Sequence, residues 1–184
     1  MNIRIKYGCN MTVAEFQDIL DLDIRIFGNE ILTNEGMALK RFLKFRDGFI
    51  AAYAEDLLMG FLGFFNVTTA VYERGALKQE YIDDDLSDTE IRPLQKCAGN
   101  HILLFDHVVG ESFRHQGVSK QLVESTRDFL SRKHQAGYPI ARIFSYAITP
   151  NGNAILSSLG GREIWTRDDI TFFEIDKEIF LRQV

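Results

Sequence analysis

The chain has only two cysteines in 184 residues, Cys9 and Cys97, and they stand in no metal-ligand spacing. That disfavours a disulfide scaffold, and reduced thiols in a cytoplasmic setting are expected. The four histidines, His101, His107, His115 and His134, form no His-x-x-x-His or His/Cys cluster, so no metal site is expected. Basic charge is not in excess. The formal net charge is −5, with both signs spread along the chain, which argues against a nucleic-acid partner held by a strongly basic surface. No apolar run approaches the length of a membrane helix, and the start, Met1-Asn2-Ile3-Arg4-Ile5-Lys6, has no apolar signal core. Neither a membrane partner nor secretion is therefore expected. Internal repeats and low-complexity tracts are also missing. The chain instead has an ordinary hydrophobic fraction of 46%, enough for a full core, and a length that fits one domain spanning 1–184.

Periodicity divides most of the chain into short elements. Ile3–Tyr7 alternates as a strand. Thr12-Val13-Ala14-Glu15 fits a capping box that opens a helix burying Val13, Phe16, Leu20, Ile24 and Phe27, with Gly28 as its stop. A second helix, from about Asn34 to Phe45, presents Leu39, Phe42 and Leu43. Phe49–Tyr53 and Leu58–Val67 read as a hairpin turning at Glu55-Asp56. Gly60 and Gly63 within its second arm mark a bulge or a close backbone approach. Ile102–Val109 is a strand, Ser119–His134 an amphipathic helix, and Ala141–Ile148 another strand. Asn153–Leu159 forms a short helix ended by Gly160-Gly161. Arg162–Thr166 and Ile170–Ile175 close the chain as a hairpin. The strand–helix–strand unit from Ile102 to Ile148 is expected to be a right-handed parallel crossover. Between the third and fourth strands, Thr68–Asn100 is an acidic excursion containing Asp83-Asp84-Asp85 and Asp88, with room for one short helix. An excursion of that length is either functional or a solvated surface loop.

The segment richest in chemistry is Arg114-His115-Gln116-Gly117-Val118-Ser119, between the fourth strand and its helix. Gly117 allows a positive φ or a close backbone approach. Free N–H groups at the helix start face an anion, the helix dipole favours negative charge there, and Arg114 adds a charged fork for phosphate oxygens. A pyrophosphate-bearing cofactor fits this turn. The plainer alternative is a strand–turn–helix connection in which Gly117 simply makes the turn.

The order of elements and the Arg-x-x-Gly-x-small turn after the fourth strand resemble the GNAT superfamily of N-acetyltransferases. The resemblance extends over nearly the whole chain except the excursion. Val108-Val109, Gly110-Glu111-Ser112 and Phe113 match the apolar strand end, the short loop and the aromatic before the Arg. Asn151-Gly152-Asn153-Ala154 followed by Leu159-Gly160-Gly161 resembles the family's Asn-x-x-Ala helix and its Leu-Gly end. The implied fold is α/β (α+β): a mixed, mostly antiparallel twisted sheet of about seven strands with flanking helices, the acyl-CoA N-acyltransferase fold. The implied cofactor is acetyl-CoA or another acyl-CoA, its pyrophosphate held by the backbone of Arg114, His115, Gln116, Gly117, Val118 and Ser119. Its pantetheine arm would pair with the splayed strand beside Val108 and Val109. An N–H of one of these would polarise the acyl carbonyl, and Asn151 and Asn153 would bond the arm. Helix capping is the alternative role for these two asparagines.

Three side chains are candidates for proton chemistry. Strict alternation puts Leu103, Phe105 and His107 on one strand face and Leu104, Asp106 and Val108 on the other. His107 is then the polar group on its face, a candidate base or else a satisfied core histidine. The family's usual proton-donating Tyr is missing: counting back from Gly160 and Gly161 gives Leu156 and Ser157. Ser157, Tyr146 or water remain as donors. The expected activity is acyl-CoA-dependent N-acyl transfer, with acetyl as the expected group, by direct attack of a primary amine. The acceptor is a small molecule or peptide amine, and the acidic run suggests a cationic one. A module that binds acyl-CoA with little catalysis, or an enzyme for longer acyl chains, are the alternatives. A homodimer is expected at the family level only.

Overall fold

The computed structural model describes residues 2–28, 35–82 and 85–182. Its elements in chain order are β1 (Arg4–Tyr7), α1 (Val13–Phe27), α2 (Glu35–Lys44), β2 (Phe49–Ala54), β3 (Leu57–Val67) and α3 (Thr69–Lys78). There follow β4 (Asn100–Val109), α4 (Val118–Gln135), β5 (Ile140–Ala147), α5 (Pro150–Ser158), β6 (Gly161–Arg167), β7 (Ile170–Ile175) and α6 (Lys177–Phe180). The start expected for the second helix, Asn34, lies outside the described residues, as do Asp83 and Asp84 of the acidic run.

The seven strands described form one mixed sheet in the order β1-β2-β3-β4-β5-β7-β6. Only β4 and β5 are parallel, as a crossover through α4 requires. The last strand inserts between β5 and β6, so the closing hairpin enters the sheet in reversed order. Two helical layers cover the sheet. On one face, Phe16 of α1 and Phe42 of α2 stack at 4.2 Å between centroids, and both meet Phe49 edge-on. Phe49 in turn meets Phe65. Farther along that face, Tyr72 of α3 packs edge-on against Phe144 of β5. On the other face, Phe129 of α4 meets Phe64 of β3, and α5 lies over β5 and β6.

Local chemistry sets the helix ends. Thr12 and Glu15 make the reciprocal capping box, and Gly28, at φ 89°, closes α1 by donating to the Ile24 carbonyl at 2.8 Å. The buried stripe of α1 differs from the expected one. Ile19 and Leu22 join Phe16 and Leu20 inside, while Val13 is half exposed at the first turn. Leu43 of α2 is likewise exposed and Phe42 fully buried. The excursion contains the ten-residue α3, which ends at Gln79 in the left-handed region. Arg74 of α3 holds Glu80, Asp85 and Glu90 together.

Candidate functional site

The site grows from a defect in β4. Register against β3 runs Gly60↔Val109, Phe61↔Val108, Leu62↔His107 and Gly63↔Asp106, then jumps to Phe64↔Leu104. Phe105 is the extra residue of a β-bulge, which flips the alternation beyond it. Strict alternation fails here as a consequence. His107 shares a face with Leu104, opposite Leu62 and Phe64, on the α4 side. Phe105, whose ring meets Phe65, lies on the α1/α2 side with Asp106, whose Cβ would contact a Cβ added at Gly63. Gly60 is the close approach: a Cβ there would sit 2.5 Å from the Val108 carbonyl oxygen.

Past the bulge, β4 parts from β5. Parallel pairing covers Asn100–Leu104 against Ile140–Ser145 and stops there. Ser145 Oγ donates to the Leu104 carbonyl at 2.8 Å, at the apex of the gap. Beyond it, Tyr146 and Ala147 pair only with β7, and Asp106–Val109 pair only with β3, Phe105 being left unpaired by the bulge. The Gly110 N–H donates to the Met59 carbonyl at 2.9 Å, which makes Gly60↔Val109 a non-hydrogen-bonded pair of the β3–β4 ladder. The N–H and C=O of Val109, and by the same alternation those of His107, therefore point away from β3 into the gap. Val108 bonds inward to β3, and its side chain is buried.

The loop after β4 turns once as a 3-10 segment at Glu111–Phe113 and enters α4 through two left-handed residues, His115 at φ 63° and Gly117 at φ 81°. Gln116 Nε2 donates to the Ser112 carbonyl at 2.7 Å and ties the loop to itself. Arg114, His115, Gln116 and Gly117 are exposed, and Arg114 makes only a loose 3.9 Å contact with Glu111. No side chain caps α4. The Val118, Ser119 and Lys120 amides have no hydrogen-bond partner among the described residues, since the first intrahelical bond runs from Gln121 to the Gly117 carbonyl. The space beside Gly117 is open: a Cβ added there would meet nothing within 4 Å. An 18-residue helix thus ends in free donors behind an accessible arginine, the arrangement an anion binds.

Across the gap, α5 starts one turn earlier than periodicity predicts. Thr149 is the cap, its hydroxyl accepting from the Gly152 N–H at 3.0 Å, with Pro150 in the first turn. Neither asparagine caps the helix. Asn151 is exposed, and Asn153 has a buried Oδ1 with no partner among the described residues. The Thr-Pro pair is the signal that locates this start in the sequence.

The three proton-transfer candidates lie apart. His107 is half buried, its Nε2 is enclosed without a partner among the described residues, and burial pushes its pKa down to about 4. Tyr146 lies on the α3 side, where its hydroxyl donates to the Glu80 carbonyl at 2.9 Å and burial raises its pKa. Ser157 is exposed on α5 and Leu156 is buried. Among the described residues no group of three or more His, Cys, Asp or Glu is arranged to hold a metal, and no helix is long and apolar enough to cross a membrane.

No protein-family model matches the chain, and no curated protein matches it in sequence. Solved structures do match. The loading GNATL domain of CurA from Lyngbya majuscula aligns with a TM-score of 0.70 at 8% identity, over 97% of this chain and 99% of that one. Naa50 of Arabidopsis thaliana, solved with the bisubstrate analogue CoA-Ac-MVNAL, aligns at 0.61 and 9% identity, over 95% and 97%. The PaiA N-acetyltransferase of Thermoplasma acidophilum, solved with coenzyme A, aligns at 0.58 and 13% identity, over 95% and 99%. With the sheet order, the bulged and splayed fourth strand and the uncapped α4, these likenesses give the conclusion that the chain has the GNAT acyl-CoA N-acyltransferase fold.

Proposed function

We propose that the protein is an acyl-CoA-dependent N-acyltransferase, moving an acetyl group to a primary amine by direct attack. The observation that carries this is the gap between β4 and β5, lined by free backbone groups of β4 and leading to the uncapped start of α4. The chain's groups suit acyl-CoA along its length. The Val118, Ser119 and Lys120 amides with Arg114 would hold the pyrophosphate. The Val109 edge would hydrogen-bond the pantetheine arm, as would Asn153, whose buried Oδ1 lacks a protein partner. When bound, acyl-CoA supplies an activated thioester carbonyl. The Val109 N–H would then be a fixed donor toward the acyl oxygen, where negative charge would develop. Cys97 is exposed and precedes β4, and the Ser145 hydroxyl is engaged with the Leu104 carbonyl, which favours direct attack by the amine over a covalent enzyme intermediate.

A second reading has a specific observation behind it. Leu156 and Ser157 occupy the usual donor position, and Tyr146 is engaged with Glu80. This favours a module that binds acyl-CoA and turns over little. Calorimetric titration with acetyl-CoA tests the shared premise, using wild type and Gly117→Asp. Wild type should bind, and the variant, which adds a carboxylate in front of the free amides, should bind at least tenfold more weakly. A folded wild type that ignores acetyl-CoA would sink both readings. Turnover against a panel of amines then separates enzyme from module.

A further inference from the structure

We infer that the insertion between β3 and β4 gauges the acyl chain: Ile82 and Leu86 close the inner end of the gap and restrict the donor to short acyl groups. The inference rests on the proposed acyl-CoA site and names the class of donor it accepts. It concerns the part of the chain that lies outside the resemblance to the GNAT superfamily. The gap has a definite inner end. The β4–β5 pairing stops at Leu104 and Ser145, both buried, and the Ser145 hydroxyl bonds across to the Leu104 carbonyl at 2.8 Å. The uncapped start of α4 follows the other end of β4, at Val109, which is roughly 15 Å from Leu104 at the strand rise. A donor whose pyrophosphate sits at α4 and whose arm follows β4 inward points its acyl group at the apex.

The insertion grips both lips of the gap just past that apex, on the face covered by α1, α2 and α3. Phe105 and Tyr146 are the first residues beyond it on their strands. On the β5 lip, Tyr146 donates to the Glu80 carbonyl at 2.9 Å, its ring meets Tyr81 edge-on at 5.1 Å, and the Ile82 amide lies beside its hydroxyl. On the β4 lip, Arg41 Nε donates to the Leu86 carbonyl at 2.8 Å, and its guanidinium lies 5.7 Å over the Phe105 ring. Ile82 and Leu86 are only 1% and 0% exposed, although they belong to a connection that runs over the outside of the sheet. Buried apolar side chains on such a segment turn toward the sheet beneath it, here between the two lips. They make an apolar stop, and the insertion's carboxylates Glu80, Asp85 and Glu90 are held on Arg74. Selection at this end is therefore by length and not by charge. Every methylene beyond acetyl has to displace close-packed side chains or bend out of the gap.

The test is calorimetric titration with acetyl-, butyryl- and hexanoyl-CoA, on wild type, Leu86→Ala and the milder Leu86→Val, beside thermal unfolding of each free protein. Wild type should bind hexanoyl-CoA about tenfold or more weakly than acetyl-CoA, with butyryl-CoA between them. Leu86→Ala should cut that ratio to about threefold or less, because the longer chain enters space the side chain has left. Leu86→Val, which keeps most of the packing, should give an intermediate ratio. In wild type with labelled methyl groups, the Ile82 and Leu86 resonances should move further with butyryl-CoA than with acetyl-CoA, a readout that needs no variant. Equal binding of the three donors by wild type would overturn the inference. So would an undiminished ratio in a folded Leu86 variant with stationary Ile82 and Leu86 methyls, which puts the limit elsewhere. Failure of wild type to bind any of the three defeats the acyl-CoA site itself, and so is distinguishable from either result.

Discussion

At the scale of single residues, burial holds the His107 imidazole below its ordinary pKa. A group of pKa about 4 is deprotonated at pH 7 and is a weak base there. The same shift makes a stability prediction. Unfolded, the imidazole titrates near 6.5; folded, it resists protonation until about 4. Between those values the unfolded chain binds more protons, so stability falls as pH drops from 6.5 to 4 and is flat with respect to this group above 6.5. The lowered pKa of His101 acts in the same direction. Denaturant midpoints at pH 7 and pH 4.5 should fall further for wild type than for His107→Phe, the gap approaching about 2–3 kcal/mol. Identical pH responses would show that His107 is not desolvated.

At the scale of elements, the fourth strand shows what periodicity can and cannot convey. Its existence and ends were legible: Ile102–Val109 was expected and Asn100–Val109 is found. The capping box, the Gly28 stop and the Glu55-Asp56 hairpin were legible for the same reason, since each is written in contiguous residues. The facing of His107 was not legible, because one inserted residue reverses a period-two pattern and leaves no mark on the strand itself. Its trace is on the partner, in Gly60 and Gly63. The two glycines serve different ends, and a pair of variants separates them. Gly60→Ala would drive a methyl to 2.5 Å from the Val108 carbonyl oxygen, at the strand edge that opens the gap. It should cost about 2–3 kcal/mol by urea unfolding, more than the unfolded-chain entropy it removes. Gly63→Ala meets Phe49 and Asp106 only at 3.6–3.8 Å and should stay within about 0.5 kcal/mol of wild type. Equal costs would mean that β3 and β4 are less tightly apposed than the register implies.

At the scale of the whole molecule, the gap that makes a site also weakens the sheet. Among the described residues, strand pairing between the β1–β4 half and the β5–β7–β6 half is confined to the short parallel run that ends at Leu104 and Ser145. The segment from Thr68 to Asn100, the least legible in the sequence, compensates for this. Its first half fastens to the far side: Trp165 Nε1 donates to the Gly75 carbonyl at 2.8 Å, Tyr72 to Glu174 at 3.2 Å and Tyr146 to the Glu80 carbonyl at 2.9 Å. Its second half returns to the near side, where Ile91 bridges Val67, Pro93 accepts from Asn66, and Leu86 accepts from buried Arg41. Arg74 joins the two halves through Glu80, Asp85 and Glu90. The segment was unreadable because these partners lie up to 102 residues away, so no local pattern encodes them. Tyr146→Phe decides whether that hydroxyl serves the strap or the chemistry. As a strap contact its loss leaves the part-buried Glu80 carbonyl unpaired, costing about 1 kcal/mol. Amide exchange should then quicken in Gly75–Ile82 while acyl transfer stays within twofold of wild type. A proton donor would behave in the opposite way, losing a hundredfold or more of turnover with exchange in Gly75–Ile82 unchanged, and that outcome would return Tyr146 to the catalytic machinery.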